Sequence, residues 1–386
     1  MKLTEATRLL KPYTIWVLAP HLESDDPNIQ HYYDFTQSIA EYGKVFEELK
    51  ATWKWQPVTM QNYKDIIKTI AASANGKTPL VLNLCDGDEI NGTPGLSVIR
   101  EMEKYGLIYT GSDEHFYAIT TSKIPMKKAF DKAKVSNANW RVINGKRGSV
   151  KGICKRVGTP VIIKPAVSGG SMGVSVKNVV HTEEELTQRV TEIQQGYHGW
   201  NLLADGLFVE QYITGPEYTT FITGSADDPD NCIVYEPVER VFHPSLPPTE
   251  KFLSFDRLWE IYDDESPMPG NANFYEYQAV EPVMAAALKQ ISLEAYRSCG
   301  GKGYARLDIR KDETTGKLYM LEVNAQCGLS EDEDYTSIGA ILKASNCGFS
   351  EVIAEIFKDA LRRSVQVPML TRKVRKKVGR KTSTFK

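Results

Sequence analysis

Two separated stretches of this 386-residue chain carry groups that could handle a phosphate. In VIIKPAVSGGSMGVSV, Val161 to Val176, an apolar β-like run ends at Lys164, a loop of glycines and serines follows, and a second β-branched run closes it. Glycines let backbone N–H groups approach an anion, serines add hydroxyl donors and Lys164 supplies a point charge, a set that suits a triphosphate. The loop is neither GxxxxGKS/T nor a strand-to-helix GxGxxG, so the two best-known nucleotide loops do not apply. A glycine-rich surface hairpin without a ligand is the plainer alternative.

The second stretch is YARLDIRKDETTGKLYMLEVN. Strand alternation puts Arg306, Asp308 and Arg310 on one side of the first run with Leu307 and Ile309 on the other, and Glu322 and Asn324 on one face of the second. Folded as a hairpin, the runs bring Asp308, Glu322 and Asn324 together. Two carboxylates and an amide oxygen are hard ligands for Mg²⁺, with Mn²⁺ a possible substitute; the ion keeps waters and completes its octahedron with substrate phosphates. A solvated polar face on a two-stranded ribbon is the alternative. Together the two stretches describe a nucleoside triphosphate clamped by a loop on one side and a metal on the other.

Elements that position these groups follow from periodicity and punctuation. YTIWVLAP and PLVLNLCDG read as buried strands, QHYYDFTQSIAEYGKVFEELKA and the residues after INGTPG as helices, and LIYTGS as a short strand. This α/β pattern predicts a Rossmann-like first domain over residues 1–112. Residues 113–205 form a small middle domain with the glycine-rich loop and a helix opened by Thr182-Glu183-Glu184-Glu185, a capping-box pattern. Residues 206–365 form a third domain with the metal-ligand pair and a closing helix, SEVIAEIFKDALRR. In the tail LTRKVRKKVGRKTSTFK, eight of 17 residues are Lys or Arg, so 366–386 reads as a basic disordered end able to meet polyanions.

Elsewhere 47 basic and 49 acidic residues nearly balance at a net charge of −2, which gives no reason to expect a specific nucleic acid or a membrane as partner. No apolar run approaches the roughly 20 residues that span a bilayer, and the N-terminus lacks the apolar core of a secretory signal, so the expected location is the cytoplasm. Six scattered cysteines form no CxxC pair and six histidines have no metal-ligand spacing, which leaves zinc chemistry and a disulfide framework without support.

In order along the chain, IIKPAVSGGSMGV, FVEQYITGPEYT, a lysine-bearing loop, ARLDIR and YMLEVNAQCG resemble the ATP-grasp superfamily and, within it, the D-alanine–D-alanine ligase-like branch. INGTPGLSVIREMEKYGLIYTGSDEHFYAITTSK extends the likeness upstream, so it spans about Leu80 to Ser330. The resemblance implies a three-domain α+β ATP-grasp fold, ATP and Mg²⁺ as cofactors, and an acyl phosphate captured by an amine. It implies that Lys123 and Lys164 contact ATP phosphates and that Ser171, Met172 and Gly173 lie in the loop closing over them. Glu210, Tyr212 and Ile213 would line the adenine slot, and Glu217 would hold the ribose hydroxyls. Lys251 resembles the phosphate-contacting lysine of a mobile loop. Asp308, Glu322 and Asn324 match the metal ligands, and Arg306 the arginine that steadies the acyl phosphate; Ser171, Lys251 and Arg306 would serve the chemistry.

The chain departs from that branch where substrates are held. VLAPHLESDDPN replaces a glycine-serine loop with a glutamate, leaving Glu23, Asp25 or Asp26 as substitutes; Gly170 and Phe252 stand for a serine and a tyrosine. Gln326-Cys327-Gly328 replaces a serine-proline-glycine, and the acidic SEDEDYTS follows. These departures predict an acceptor unlike D-alanine, a cationic or larger amine. Cys327 reads as a packing residue and Arg310 as a solvent-facing partner of nearby acids. The expected activity is ATP-dependent ligation of an amino acid or small carboxylic acid to an amine. Alternatives are a D-alanine–D-alanine ligase proper, transfer to ammonia or a thiol, and a non-catalytic nucleotide-binding protein. A homodimer through the first domain is expected by analogy.

Overall fold

The computed structural model describes residues 1–23, 35–73, 76–143, 150–196, 199–259, 265 and 268–378, with 271 and 366–378 described by backbone alone. Asp25 and Asp26 lie outside the described residues, as do 379–386 of the basic end.

The chain builds three sheets. The first has the order β2-β1-β3-β4, from β1 Tyr13–Pro20, β2 Thr52–Val58, β3 Thr78–Asn83 and β4 Ile108–Tyr109, and every pairing in it is parallel. Parallel strands are covered on both faces, which is why Ile15 to Pro20 are buried without alternation and read as a continuous apolar run. Crossover helices Thr36–Glu48, Tyr63–Ala72 and Leu96–Lys104 connect the strands. The loops after β1 and β3 leave the carboxyl edge of this sheet, where open α/β sheets bind ligands.

The second sheet has the order β5-β8-β6-β7: β5 Trp140–Ile143, β6 Val161–Pro165, β7 Val179–Val180 and β8 Leu207–Gln211, all antiparallel. Helix Glu183–Gln195 covers it; Thr182 Oγ1 caps the Glu185 N–H at 3.1 Å, while the Glu185 carboxylate reaches past the cap to the His181 N–H at 2.7 Å.

The third sheet runs β12-β11-β9-β13-β14, with β10 beside β9. Its strands are β9 Glu217–Thr223, β10 Ile233–Val234, β11 Val238–Phe242, β12 Tyr275–Ala279, β13 Tyr304–Lys311 and β14 Leu318–Ala325, again antiparallel. Every residue of the central β9 is buried. Helices Lys123–Ala133 and Pro282–Ser298 pack on one face through Met126, Phe130, Leu288 and Ala295 with Leu307 and Ile309.

One core crosses the expected division of the chain. Ile15, Val17, Leu80 and Leu82 of the first sheet cluster with Phe221 and Tyr304 of the third and with Val352, Ile353 and Phe357 of the last helix. That helix, Phe349–Val378, continues past Arg363, where the sequence expectation ended it, into the segment expected to be disordered. Among the described residues no helix is long and apolar enough to cross a membrane.

Candidate active site

β13 and β14 pair so that Arg306 faces Asn324 and Asp308 faces Glu322 across the ladder. Their side chains therefore share a face, while Leu307 and Ile309 are fully buried on the other. Asp308 Oδ2 accepts from Arg306 Nη2 at 3.1 Å and from Asn324 Nδ2 at 3.1 Å, and the same amide donates to Glu322 Oε1 at 3.2 Å. Asp308 Oδ1 is buried and accepts no hydrogen bond among the described residues; its nearest cation is Arg240 Nη2 at 4.0 Å. An unpartnered carboxylate oxygen beside a second carboxylate and an amide fits a hard divalent ion, and a half-turn of the amide presents its oxygen.

Burial alone would raise the Glu322 carboxyl, but Lys123, Lys164 and Arg306 hold it down to about 2. Lys123 Nζ lies 3.3 Å from Glu322 Oε2 and donates to the Ser168 carbonyl at 2.8 Å, which ties the root of the glycine-rich loop to β14. Lys164, on β6, donates to Glu210 Oε1 on β8 at 2.8 Å. The other Glu210 oxygen meets Lys127 Nζ at 2.5 Å, with both side chains nearly sealed from water. Burial would raise Glu210 as well, yet the two lysines depress it to about 2, while burial lowers Lys127. Both Glu210 carboxylate oxygens are thus taken up by lysines. Lys127 went unnoticed in the sequence; its one signal is its place a helical turn beyond Lys123.

The glycine-rich loop is wound into tight turns. Ser168 Oγ donates to the Met172 carbonyl at 2.6 Å, Met172 N to Gly169 O at 3.0 Å, and Val174 N to Ser171 O at 2.9 Å. Ser171 and Gly173 take φ of 65° and 75°, and a Cβ on Gly173 would meet Leu202 at 2.7 Å and Pro165 at 2.9 Å. No other residue fits there. Trp259 Nε1 donates to the Gly170 carbonyl at 2.8 Å.

Arg310 corrects its expectation. It is 3% exposed and faces inward because β13 alternation puts it on the same side as Asp308. Its guanidinium donates to Glu217 Oε2 at 3.0 Å, to the Ile213 carbonyl at 2.8 Å and to the Lys251 carbonyl, and stacks 4.9 Å from the Tyr212 ring. Tyr212 OH reaches the Pro248 carbonyl at 3.0 Å. Two elements named separately in the sequence, the Tyr212-Ile213 segment and the Lys251 turn, are thereby joined by one side chain. The remaining Glu217 oxygen accepts from Arg240, whose position on β11 carried no sequence signal. Burial would raise the Glu217 carboxyl, but Arg310 and Arg240 keep it low. Arg310, Glu217, Arg240, Asp308 and Arg306 form an alternating line of charge from the Lys251 turn along β13.

On the side of the first sheet, Gln326 joins the layers: Nε2 donates to the Cys85 carbonyl at 2.9 Å and Oε1 accepts the Ser112 N–H at 3.1 Å. Cys327 is 8% exposed and belongs to the core cluster with Tyr304 and Leu329, where burial pushes its thiol up to about 12. Glu23 is exposed at the end of its loop, and Phe252 packs on Tyr212. The acidic run after Cys327 is committed elsewhere: Glu331 pairs with Lys44 at 3.0 Å, Glu333 with Lys343 at 2.7 Å, and Asp332 Oδ1 accepts the N–H groups of Asp334 and Tyr335 at 3.1 Å each.

A parallel α/β layer, a glycine-rich loop on a small antiparallel sheet and carboxylates on a larger one define the ATP-grasp ligases, enzymes that use ATP and Mg²⁺. Residues 130–358 match the family model described as D-ala D-ala ligase C-terminus, and the chain belongs to that family. It is 29% identical over 314 residues to the D-alanine–D-alanine ligase of Xanthomonas axonopodis pv. citri, covering 76% of this chain and 88% of that one. The D-alanine–D-alanine ligase of Bacillus anthracis, solved in complex with ATP, superimposes with a TM-score of 0.64 at 18% identity over 92% of this chain and 99% of that one. The enzyme from Coxiella burnetii does so with a TM-score of 0.65 at 15% identity, over 95% and 99%.

Proposed function

We propose that this chain activates an amino acid or other small carboxylic acid as an acyl phosphate and joins it to an amine, releasing ADP and phosphate. The observation that carries this reading is the convergence of Asp308, Glu322 and Asn324 beside Lys123, with Asp308 Oδ1 accepting no hydrogen bond among the described residues. Lys123 and Lys164 would hold ATP phosphates under the loop of Ser171, Met172 and Gly173, joined by Lys251 from its turn. Tyr212 and Ile213 would flank the base, Glu217 the ribose. Asp308, Glu322 and Asn324 would hold Mg²⁺, which when bound neutralises the charge spreading over the transferred phosphoryl group. Arg306, 26% exposed at its side chain and anchored on Asp308, would steady the acyl phosphate and the tetrahedral species that follows. Packing the glycine-rich loop over the phosphates would exclude water from an intermediate prone to hydrolysis.

Holding a triphosphate costs the protein a concentration of positive charge, and the lysines are already poised by Glu210 and Glu322 to supply it. A D-alanine–D-alanine ligase proper is disfavoured by Gly170 and Phe252 at positions where that branch carries polar side chains. The reading is tested by ADP release from Mg-ATP with acids and amines offered singly and in pairs, followed by mass spectrometry. ADP that appears only with a particular pair, together with a product one water lighter than their sum, is the expected result. ATP binding without ADP formation under every pair would leave a nucleotide-binding protein instead.

A further inference from the structure

The last helix outlasts the core that holds it. Val352, Ile353, Ile356 and Phe357 of Phe349–Val378 are fully buried, Leu361 closes the cluster, and Val365, one turn further, is 73% exposed. The backbone stays helical to Val378, about 20 Å beyond Val365 at about 1.5 Å per residue. A helix in water draws most of its stability from packing an apolar face, so the pattern of this extension bears on what it meets.

The extension is sorted by face. Val367, Leu370, Val374 and Val378 recur at intervals of three, four and four residues, which places them on one helix face within an arc of about 80°. Arg372, Lys373, Arg375, Lys376 and Lys377 all fall outside that arc. Pro368, also off it, gives up one backbone bond where the docked part of the helix ends, a place where helices bend. Charge is sorted along the chain as well. Residues 361–386 hold ten Lys or Arg and no acid, whereas residues 1–360 hold 37 basic and 49 acidic side chains. The near balance of the whole chain hides this separation. A positive arm on a negative body meets an anionic surface with the arm alone.

We propose that the helical extension after Val365 is an amphipathic arm that docks on an anionic lipid surface, with the face of Val367, Leu370, Val374 and Val378 toward the acyl chains and the basic residues among the headgroups. The assignment stands apart from the ligase reading. Nucleic acid would satisfy the charges but give the apolar face nothing to do, since phosphate backbones are met by Lys and Arg. A second copy of this chain pairing through the stripe would bring the five basic residues of each arm together, with no acid in the segment to offset them. A lipid surface satisfies both features. Apolar residues enter the boundary between headgroups and acyl chains, and each Lys or Arg near anionic headgroups strengthens binding about fivefold. The stripe is short, so contact is peripheral and reversible and needs charge and stripe together.

The test floats the full chain with vesicles of phosphatidylcholine, with and without phosphatidylserine. Binding should require phosphatidylserine and weaken as salt rises, because screening shortens the reach of the arm's charge. Leu370→Ser combined with Val374→Ser keeps every charge and removes the stripe, and should weaken binding about tenfold or more. Lys376→Gln combined with Lys377→Gln should weaken it about twentyfold. Both pairs lie beyond the buried part of the helix, so each variant should melt at the wild-type temperature, which separates lost docking from lost folding. No binding to either vesicle, or vesicle binding by the serine pair equal to the wild type, would overturn the proposal. Binding to single-stranded polyuridylate in place of vesicles, retained by the serine pair, would overturn it in favour of nucleic acid. A dimer in light scattering that the serine pair dissolves, with no vesicle binding, would overturn it in favour of a second copy.

Discussion

Glu210 and Glu322 stay ionised in spite of burial, and the lysines around them make that possible. Glu210 and Glu322 are pulled from an ordinary value of 4.5 to about 2, in spite of burial, by Lys127, Lys123 and Lys164. A carboxyl with a lower pKa in the folded state contributes stability that is present above the unfolded value and is lost as pH falls toward the folded one. Thermal stability should therefore decline from about pH 4.5 down to about 2, and Glu210→Gln should flatten part of that decline. The same change leaves Lys127 buried without its partner, so it should also cost about 3–5 kcal/mol at neutral pH. Melting curves across this range check both; an unaltered acid slope would refute the pairing as its source. At this scale the sequence was readable where a local period fixed direction: alternation alone sets Arg306, Asp308, Glu322 and Asn324 on one face. Lys127 and Arg240 were not readable, because their partners lie far along the chain and a buried charge looks in sequence like a surface one.

Among elements, the turn at residues 248–251 is attached to the Tyr212-Ile213 segment and β13 mainly through Arg310 and Tyr212. Period two predicted the face of Arg310 correctly but not its burial, since β9 and the turn that cover it are distant in sequence. Its guanidinium makes three separate contacts in one plane, a fork that an ammonium cannot reproduce. Arg310→Met should free the turn, raise KM for ATP roughly tenfold and change kcat less, the split expected when ground-state binding is lost. Limited proteolysis should cut the 248–254 region faster, and Arg310→Lys should not restore either property. Equal protease resistance in the variant would mean that the turn is held by other contacts.

For the molecule as a whole, segmentation by sequence and segmentation by packing differ. Turns and periodicity divide the chain near Ser112, because local signals report where elements stop and not what they are packed against. Side chains from both sides of that point share one core: Ile15 and Leu82 meet Phe221, Tyr304 and, from the last helix, Phe357. The consequence is mechanical as well as thermodynamic. Gln326 can hold the Cys85 carbonyl and the Ser112 N–H to the end of β14 only if the first and third sheets keep a fixed relation, and this core supplies it. Phe357 is fully buried where the two meet, so Phe357→Ala should cost about 3–5 kcal/mol in lost contact and cavity. Because the core is continuous, the loss should lower the stability of the first sheet and of the third sheet together. Hydrogen exchange of amides in β1 and in β9 reads the two separately and should accelerate by similar factors in the variant. Acceleration confined to one sheet would show that the halves unfold independently, and that the join between the first sheet and β14 rests on the Gln326 bonds alone.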